Sequence, residues 1–227
     1  MGLVLFIFLF ILSTFIYFEL KEIKLLNRVT GIRRGTKSER KLVVKLLKHG
    51  VPEQTIFHDL YIEIGKSRYC QIDLVVATRT GIIVFEVKEY NGWIFGNSYR
   101  KQWIQILAYG NVKHRFYNPI MQNEKHIQHL RKKLPQFEKV PFYSVIVFYG
   151  NCEFKNDINV PNKTYIVYSK DVLNVVKMIN ENEQAKYQNK REVVELFKKG
   201  ALNGKERRIR NEHIRNIRSL MDARNIN

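Results

Sequence analysis

Residues 71–88 read QIDLVVATRTGIIVFEVK: two short β-branched apolar runs, Ile72–Ala77 and Ile82–Val87, on either side of Thr78-Arg79-Thr80-Gly81. Runs of this length and type, interrupted by a turn that ends in glycine, predict a β-hairpin. Side chains alternate between faces along a strand, so Glu86 and Lys88 share one face. With Arg79 and Thr80 as a two-residue loop, Thr78 meets Gly81 and Asp73 meets Glu86. With Thr80 and Gly81 as the loop, Asp73 stands opposite Lys88. Either register puts Asp73, Glu86 and Lys88 on one face, whereas a slip by one residue sends Asp73 to the other.

Two carboxylates and an ammonium are an unusual load for strands otherwise built of Ile, Val, Leu and Phe. An unpaired buried charge costs several kcal/mol, and neighbouring carboxylates raise at least one pKa by repulsion. A divalent cation removes both penalties. Mg²⁺, with Mn²⁺ as its substitute, takes one or two carboxylates together with water and substrate phosphate, so Asp73 and Glu86 are the expected metal ligands. Such an ion activates water and stabilises charge developing on phosphorus, and Lys88 supplies a point charge to a phosphate oxygen or orients the attacking water. The competing reading is a partly solvated sheet face on which Glu-x-Lys has no chemistry.

Upstream, Gly35-Thr36-Lys37-Ser38-Glu39 precedes Leu42, Val43, Leu46 and Leu47, an apolar stripe at helical spacing. Thr36 or Ser38 caps the helix, and Glu39 falls in its first turn, where a carboxylate complements the dipole. From the residues alone, Glu39 is either that complement or a third acid directed at the hairpin.

The order Gly35-x-x-x-Glu39, Gln71-Ile72-Asp73, Gly81 to Lys88 and Phe116-Tyr-Asn-Pro-x-x-Gln122-Asn123 resembles the nuclease-related domain family over roughly residues 35–135, with Gly92 and Trp103 between the blocks. That family is placed in the PD-(D/E)XK nuclease superfamily. The resemblance implies a restriction-endonuclease-like α/β fold, a mixed sheet flanked by helices, and Glu39, Asp73, Glu86 and Lys88 as the active-site set. It also makes Gln122 a residue at the edge of the site, orienting substrate or a metal-bound water. Ile72 stands where the superfamily name has proline, and every charged position is retained.

Asn118 and Pro119 read as the cap and first position of a helix, with Ile120, Ile127, Leu130 and Leu134 as its buried stripe. Periodicity alone leaves Gln122 and Asn123 facing solvent. It does the same for His126 and His129, since no cysteine or third histidine stands near them at ligand spacing. Trp93, Tyr99, Trp103 and Tyr109 are interleaved with Arg100, Lys101, Lys113, His114 and Arg115, a mixture suited to stacking bases and holding phosphates; Trp103 reads rather as core.

The chain has 227 residues, a formal net charge of +18 and two cysteines. One main domain with appendages is expected, and Cys70 and Cys152 form no disulfide framework, which suits a reducing compartment. The positive balance favours a polyanionic partner, nucleic acid or anionic lipid, between which charge alone does not discriminate; of the nucleic acids, DNA is expected before RNA. Residues 2–18 carry no charge; about 18 residues at 1.5 Å rise reach about 27 Å, enough to cross a thin bilayer core. No basic residue precedes this run and Tyr17-Phe18 end it, so it reads as a retained transmembrane helix rather than a cleaved signal. Lys21, Lys24, Arg28, Arg33, Arg34 and Lys37 follow, placing the N-terminus outside and the main domain in the cytoplasm, with the basic cluster at anionic lipid.

Residues 143–149 and 163–168 read as further strands, and residues 171–180 and 190–199 as helices. A basic, helix-patterned tail follows from Asn203, with Arg207, Arg208, Arg210, Arg215, Arg218 and Arg224. The expected layout is an anchor at 1–20, a basic linker at 21–34, an α/β domain at 35–200 and a basic tail at 201–227. The expected function is Mg²⁺-dependent hydrolysis of phosphodiester bonds in DNA by a membrane-anchored, cytoplasm-facing nuclease. The alternative is a non-catalytic module that binds nucleic acid or tethers it to the membrane.

Overall fold

The computed structural model describes residues 2–107, 110 and 112–225, with side chains to 219; Tyr109 and the Arg224 side chain lie outside these. Chain order runs α1 (Gly2–Leu26), α2 (Lys37–Lys48), β1 (Ile56–Gly65), β2 (Arg68–Thr78), β3 (Gly81–Glu89), β4 (Gly92–Phe95), β5 (Gln102–Leu107), β6 (Val112–Tyr117), α3 (Pro119–Arg131), β7 (Phe142–Tyr149), β8 (Cys152–Phe154), β9 (Thr164–Tyr168), α4 (Val172–Asn180), α5 (Lys190–Asn203) and α6 (Arg207–Asn225). The strands form two mixed sheets flanked by helices.

The expected hairpin is β2–β3. Thr78 pairs with Gly81 and Leu74 with Phe85, so Arg79-Thr80 is the two-residue loop. Gly81 is required there: its φ is +147°, and a Cβ would lie 2.4 Å from the Pro141 carbonyl oxygen. The first sheet runs β1-β2-β3-β7-β9, with β1, β2 and β3 antiparallel and β7 and β9 added in parallel. Its centre is apolar on both sides, as a covered sheet demands. Leu74, Val76, Ile83, Phe85, Val145 and Val147 pack against α2 and α4. Val75, Ile82, Val84 and Phe142 pack against Ile127 and Leu130 of α3 and Val193 and Phe197 of α5.

Ile72 shares the core of Val75 rather than that of Leu74. The face alternation of β2 therefore breaks beside Asp73. Across the ladder Asp59 has φ +53°, and the β1–β2 pairing passes from His58↔Leu74 to Leu60↔Ile72 without an Asp59–Asp73 pair. Arg34 and Gln71 hold Asp59 through both carboxylate oxygens, at 3.1 and 3.0 Å.

The second sheet, ordered β6-β5-β4-β8, and strand β1 have no counterpart in the sequence-based expectations. Trp103 of β5 is fully buried and stacks on Phe148 of β7 with rings 6.3 Å apart, so the core reading of Trp103 holds. Lys113, His114 and Arg115 on β6 are exposed. At the N-terminus, α1 is long and apolar enough to cross a membrane; its apolar residues from Leu3 to Leu20 lie on the outside of the molecule, while Leu25 and Leu26 pack on the core that the first sheet forms with α2 and α4. The basic tail is helical, and α6 is docked on the first sheet: His213 Nδ1 is 2.8 Å from the Tyr69 carbonyl and Asn216 donates to the Ser67 carbonyl at 3.0 Å.

Candidate active site

Asp73 lies where β2 stops pairing with β3 and the two strands part, because the ladder ends at Leu74↔Phe85. The backbone N–H of Val87, freed from the ladder, donates instead to Asp73 Oδ2 at 2.8 Å. The side chain thus replaces a strand hydrogen bond and fixes the carboxylate beside β3. Glu86 is 1% exposed, held between β3's parallel partner β7 and helix α3. Its Oε1 is 2.6 Å from Lys88 Nζ, and Lys88 Nζ also donates to Gln122 Oε1 at 3.0 Å. Asp73, Glu86, Lys88 and Gln122 are therefore one connected group, carried by β2, β3 and the first turns of α3.

Glu39 stands apart from this group. Its Oε1 accepts from the Thr36 N–H at 3.1 Å while Thr36 Oγ1 accepts from the Glu39 N–H, a reciprocal capping box. Its Oε2 is 3.2 Å from His58 Nε2 on β1, and His58 Nδ1 meets Thr30 at 2.9 Å. Both carboxylate oxygens are thereby committed. Gly35 makes room for the arrangement: its φ is +58° and a Cβ would fall 2.3 Å from Glu39 Oε2. The spacing Gly35-x-x-x-Glu39 records that steric demand.

The polar face of α3 reverses part of the periodicity reading. Asn123 is fully buried and donates to the Val84 carbonyl and to Ser144 Oγ, at 2.8 and 2.9 Å, tying α3 to β3 and β7. His126, expected on a solvated face, is 9% exposed. Its Nδ1 is 2.9 Å from Cys70 Sγ on β2, and its Nε2 is 3.3 Å from Glu86 Oε2. That last approach lacks hydrogen-bond alignment, so Glu86 Oε2 and His126 Nε2 have no hydrogen-bond partner among the described residues. Positions 123, 126, 127 and 130 occupy one side of a 3.6-residue helix, so the signal for His126 was its place in the apolar stripe, not a ligand spacing.

The charges explain the titration directions. Burial, then the negative charges of Glu86 and Glu39, push Asp73 well above its ordinary value. Burial works against the Glu86 carboxylate, but His126 and Lys88 outweigh it and hold Glu86 below the usual range. Burial likewise disfavours the Lys88 ammonium, and Glu86 overcomes it. Burial also opposes the His126 imidazolium, yet Cys70 and Glu86 raise it to about 10. For Glu39, hydrogen bonds from His58 and Thr36 outweigh burial and lower its pKa.

Two features fit a hard cation: a buried carboxylate oxygen without a hydrogen-bond partner, and a neighbouring acid driven toward neutrality by crowded negative charge. No group of three or more His, Cys, Asp or Glu side chains stands at metal-binding spacing among the described residues. The donor set is instead two carboxylates, which suits an ion that completes its shell with water and phosphate. A cavity of about 440 Å³ opens onto this group, with Asp73, Gln122, His126 and Cys70 in its wall.

The family model described as nuclease-related domain matches residues 34–149, which spans α2, all of the connected group and strand β7. An uncharacterised protein of Bacillus anthracis is 33% identical over 140 residues, covering 60% of this chain and 63% of its own length. No solved structure matches.

Proposed function

Because the chain belongs to the nuclease-related domain family, we propose that it hydrolyses phosphodiester bonds in nucleic acid, DNA in the first instance, at the Asp73–Glu86–Lys88–Gln122 group, on a restriction-endonuclease-like scaffold. The observation that carries the reading is the buried Glu86 carboxylate, which has one oxygen on Lys88 and the other 3.3 Å from His126 Nε2 without hydrogen-bond alignment, beside the crowded acid Asp73. Asp73 and Glu86 would hold Mg²⁺ or Mn²⁺, and the bound ion would supply water activation and charge stabilisation at phosphorus. The Val87 N–H keeps Asp73 aimed into the gap between the strands. Lys88 places a positive charge where a phosphate oxygen gains negative charge in the transition state, and Gln122 fixes the ammonium in that position. Glu39 acts at one remove: it closes the α2 cap and adds to the field that Asp73 feels.

Helix α1 anchors the protein in a membrane as a single pass, with the basic segment 21–34 on anionic headgroups and the catalytic domain in the cytoplasm. Its length and apolarity support the anchor, and the basic residues that follow it support the orientation.

The test is metal titration of cleavage with labelled DNA. Asp73→Ala and Lys88→Ala should each abolish metal-dependent cleavage, a loss of about a thousandfold or more for a charge that acts only in the transition state, with circular dichroism unchanged. Cleavage by both variants at the wild-type rate would reject the assignment. Salt-sensitive binding by the wild type with no cleavage at any metal concentration would leave a tethering module in its place.

A further inference from the structure

The cavity beside the catalytic group has three walls: β2, α3 and α6. From β2 come Cys70, Gln71 and Asp73; from α3, Gln122, Lys125, His126 and His129; and from α6, His213, Asn216 and Ile217. Tyr117, at the end of β6, closes one side, with Lys125 Nζ 4.9 Å from its ring centre. Helix α6, outside the matched stretch 34–149, is thus a structural part of the space through which Asp73 is reached.

The two sides of α6 differ. Ile209, His213 and Asn216 turn inward, while Arg207, Arg208, Asn211, Ile214, Arg215 and Arg218 line an open groove on the outer side. Those positions recur at helical spacing, so four guanidinium groups form one continuous track along the helix. In the described part of α6 the acid is Glu212, with its Oε1 3.6 Å from Arg208, and it leaves the track strongly positive.

We propose that this cavity receives an unpaired nucleotide and that the arginine track of α6 carries the phosphates of the same strand, which makes single-stranded nucleic acid the substrate class. The inference rests on the hydrolytic reading of the adjacent group and adds strandedness to it. The cavity has the volume of a small-ligand site, far too small for a duplex. It offers the flat rings of Tyr117, His129 and His213 for stacking, with the side-chain carbonyl oxygens of Gln71 and Asn216, whose amide nitrogens are held by Asp59 and the Ser67 carbonyl, as acceptors for base edges. Rings that stack bases beside a cationic groove that follows the backbone are the two parts from which single-strand sites are built. The acids support the same conclusion from the other direction: Glu86 is 1% exposed and Asp73 is the acid that lines the cavity, so a phosphate approaches Asp73 by entering it, and a nucleotide freed from its partner strand can do so at low cost.

The experiment uses the full chain in zwitterionic nanodiscs, carrying Lys88→Ala and free of divalent metal so that no strand is cut. Fluorescence anisotropy compares a short single-stranded oligonucleotide with the blunt duplex of the same sequence. The single strand should bind about tenfold tighter, the worth of about one stacked base. Tyr117→Ala, which removes a platform, and Asn216→Trp, which fills the cavity, should each remove that preference. Arg208→Gln, Arg215→Gln and Arg218→Gln together should flatten the dependence of log affinity on log salt by about two. Equal affinity for duplex, or a preference indifferent to both cavity variants, overturns the proposal. A loss confined to anionic vesicles in the triple variant, with strand affinity intact, assigns the arginine track to lipid and overturns it as well. Strand selectivity without metal-dependent cleavage by the wild type would sink the hydrolytic reading alone, and duplex cleavage without strand preference would sink this one alone.

Discussion

Asp73 shares a confined space with Glu86 and senses Glu39, and its carboxyl is pushed above the ordinary 3.8. A carboxylate whose folded pKa is raised contributes stability below the unfolded value, and that contribution is lost as pH rises through the folded one. Removing the charge should therefore help the metal-free fold. Asp73→Asn, whose amide oxygen still accepts from the Val87 N–H, should raise the melting temperature in EDTA by a few degrees, roughly 1 kcal/mol. The gain should be absent below about pH 3.8, grow as pH rises, and level off above the raised value. Added Mg²⁺ should reverse the ranking, stabilising the wild type and leaving the variant unmoved, as thermal melts with and without metal would show. Asp73, Glu86 and Lys88 were legible as a group because charge is conspicuous on an apolar hairpin. His126 was not. A histidine on a helix declares nothing about its face, and its partners Cys70 and Glu86 are brought to it only by the tertiary fold.

Helix α2 begins with a constraint that a single methyl group would violate. Gly35 has φ +58° and lies against Glu39 and His58, so Gly35→Ala combines left-handed strain with a clash. A loss of about 2–3 kcal/mol is expected, measurable as an earlier midpoint in urea. Helix α3 depends on Asn123 in a different way. Asn123→Ala leaves the Val84 carbonyl and Ser144 Oγ without their donor in a dry interface, at about 1–3 kcal/mol. Because α3 also carries Gln122, that variant should slow cleavage beyond what its fraction folded explains. Elements with a long apolar period, such as α2, or a tight turn, such as β2–β3, were readable in advance. Strands β4, β5 and β6 were not, since each is only four to six residues long and β6 is mostly cationic and aromatic. Their pairing is set by where Trp103 and Phe148 stack, not by any local alternation.

At the scale of the whole molecule, the fold class followed from the order of helices and strands, but the second sheet did not, because long-range pairing leaves little trace in local sequence. The surface of α1 is apolar on all sides over residues 3–12, and a helix of that kind has no stable place in water. The full chain should require detergent for extraction after a high-salt wash, whereas a chain beginning at residue 21 should partition to the soluble fraction; fractionation followed by immunoblotting decides it.

Strand β3, which bears Glu86 and Lys88, finds its parallel neighbour β7 only after β4, β5, β6 and α3 have intervened in the chain. Closing so distant a pairing is slow compared with forming a hairpin. During synthesis the acids of β2 and β3 wait, half assembled, until Tyr149 has followed. The carboxylates and the lysine of the candidate site thus come together late, only once most strands of both sheets have been made.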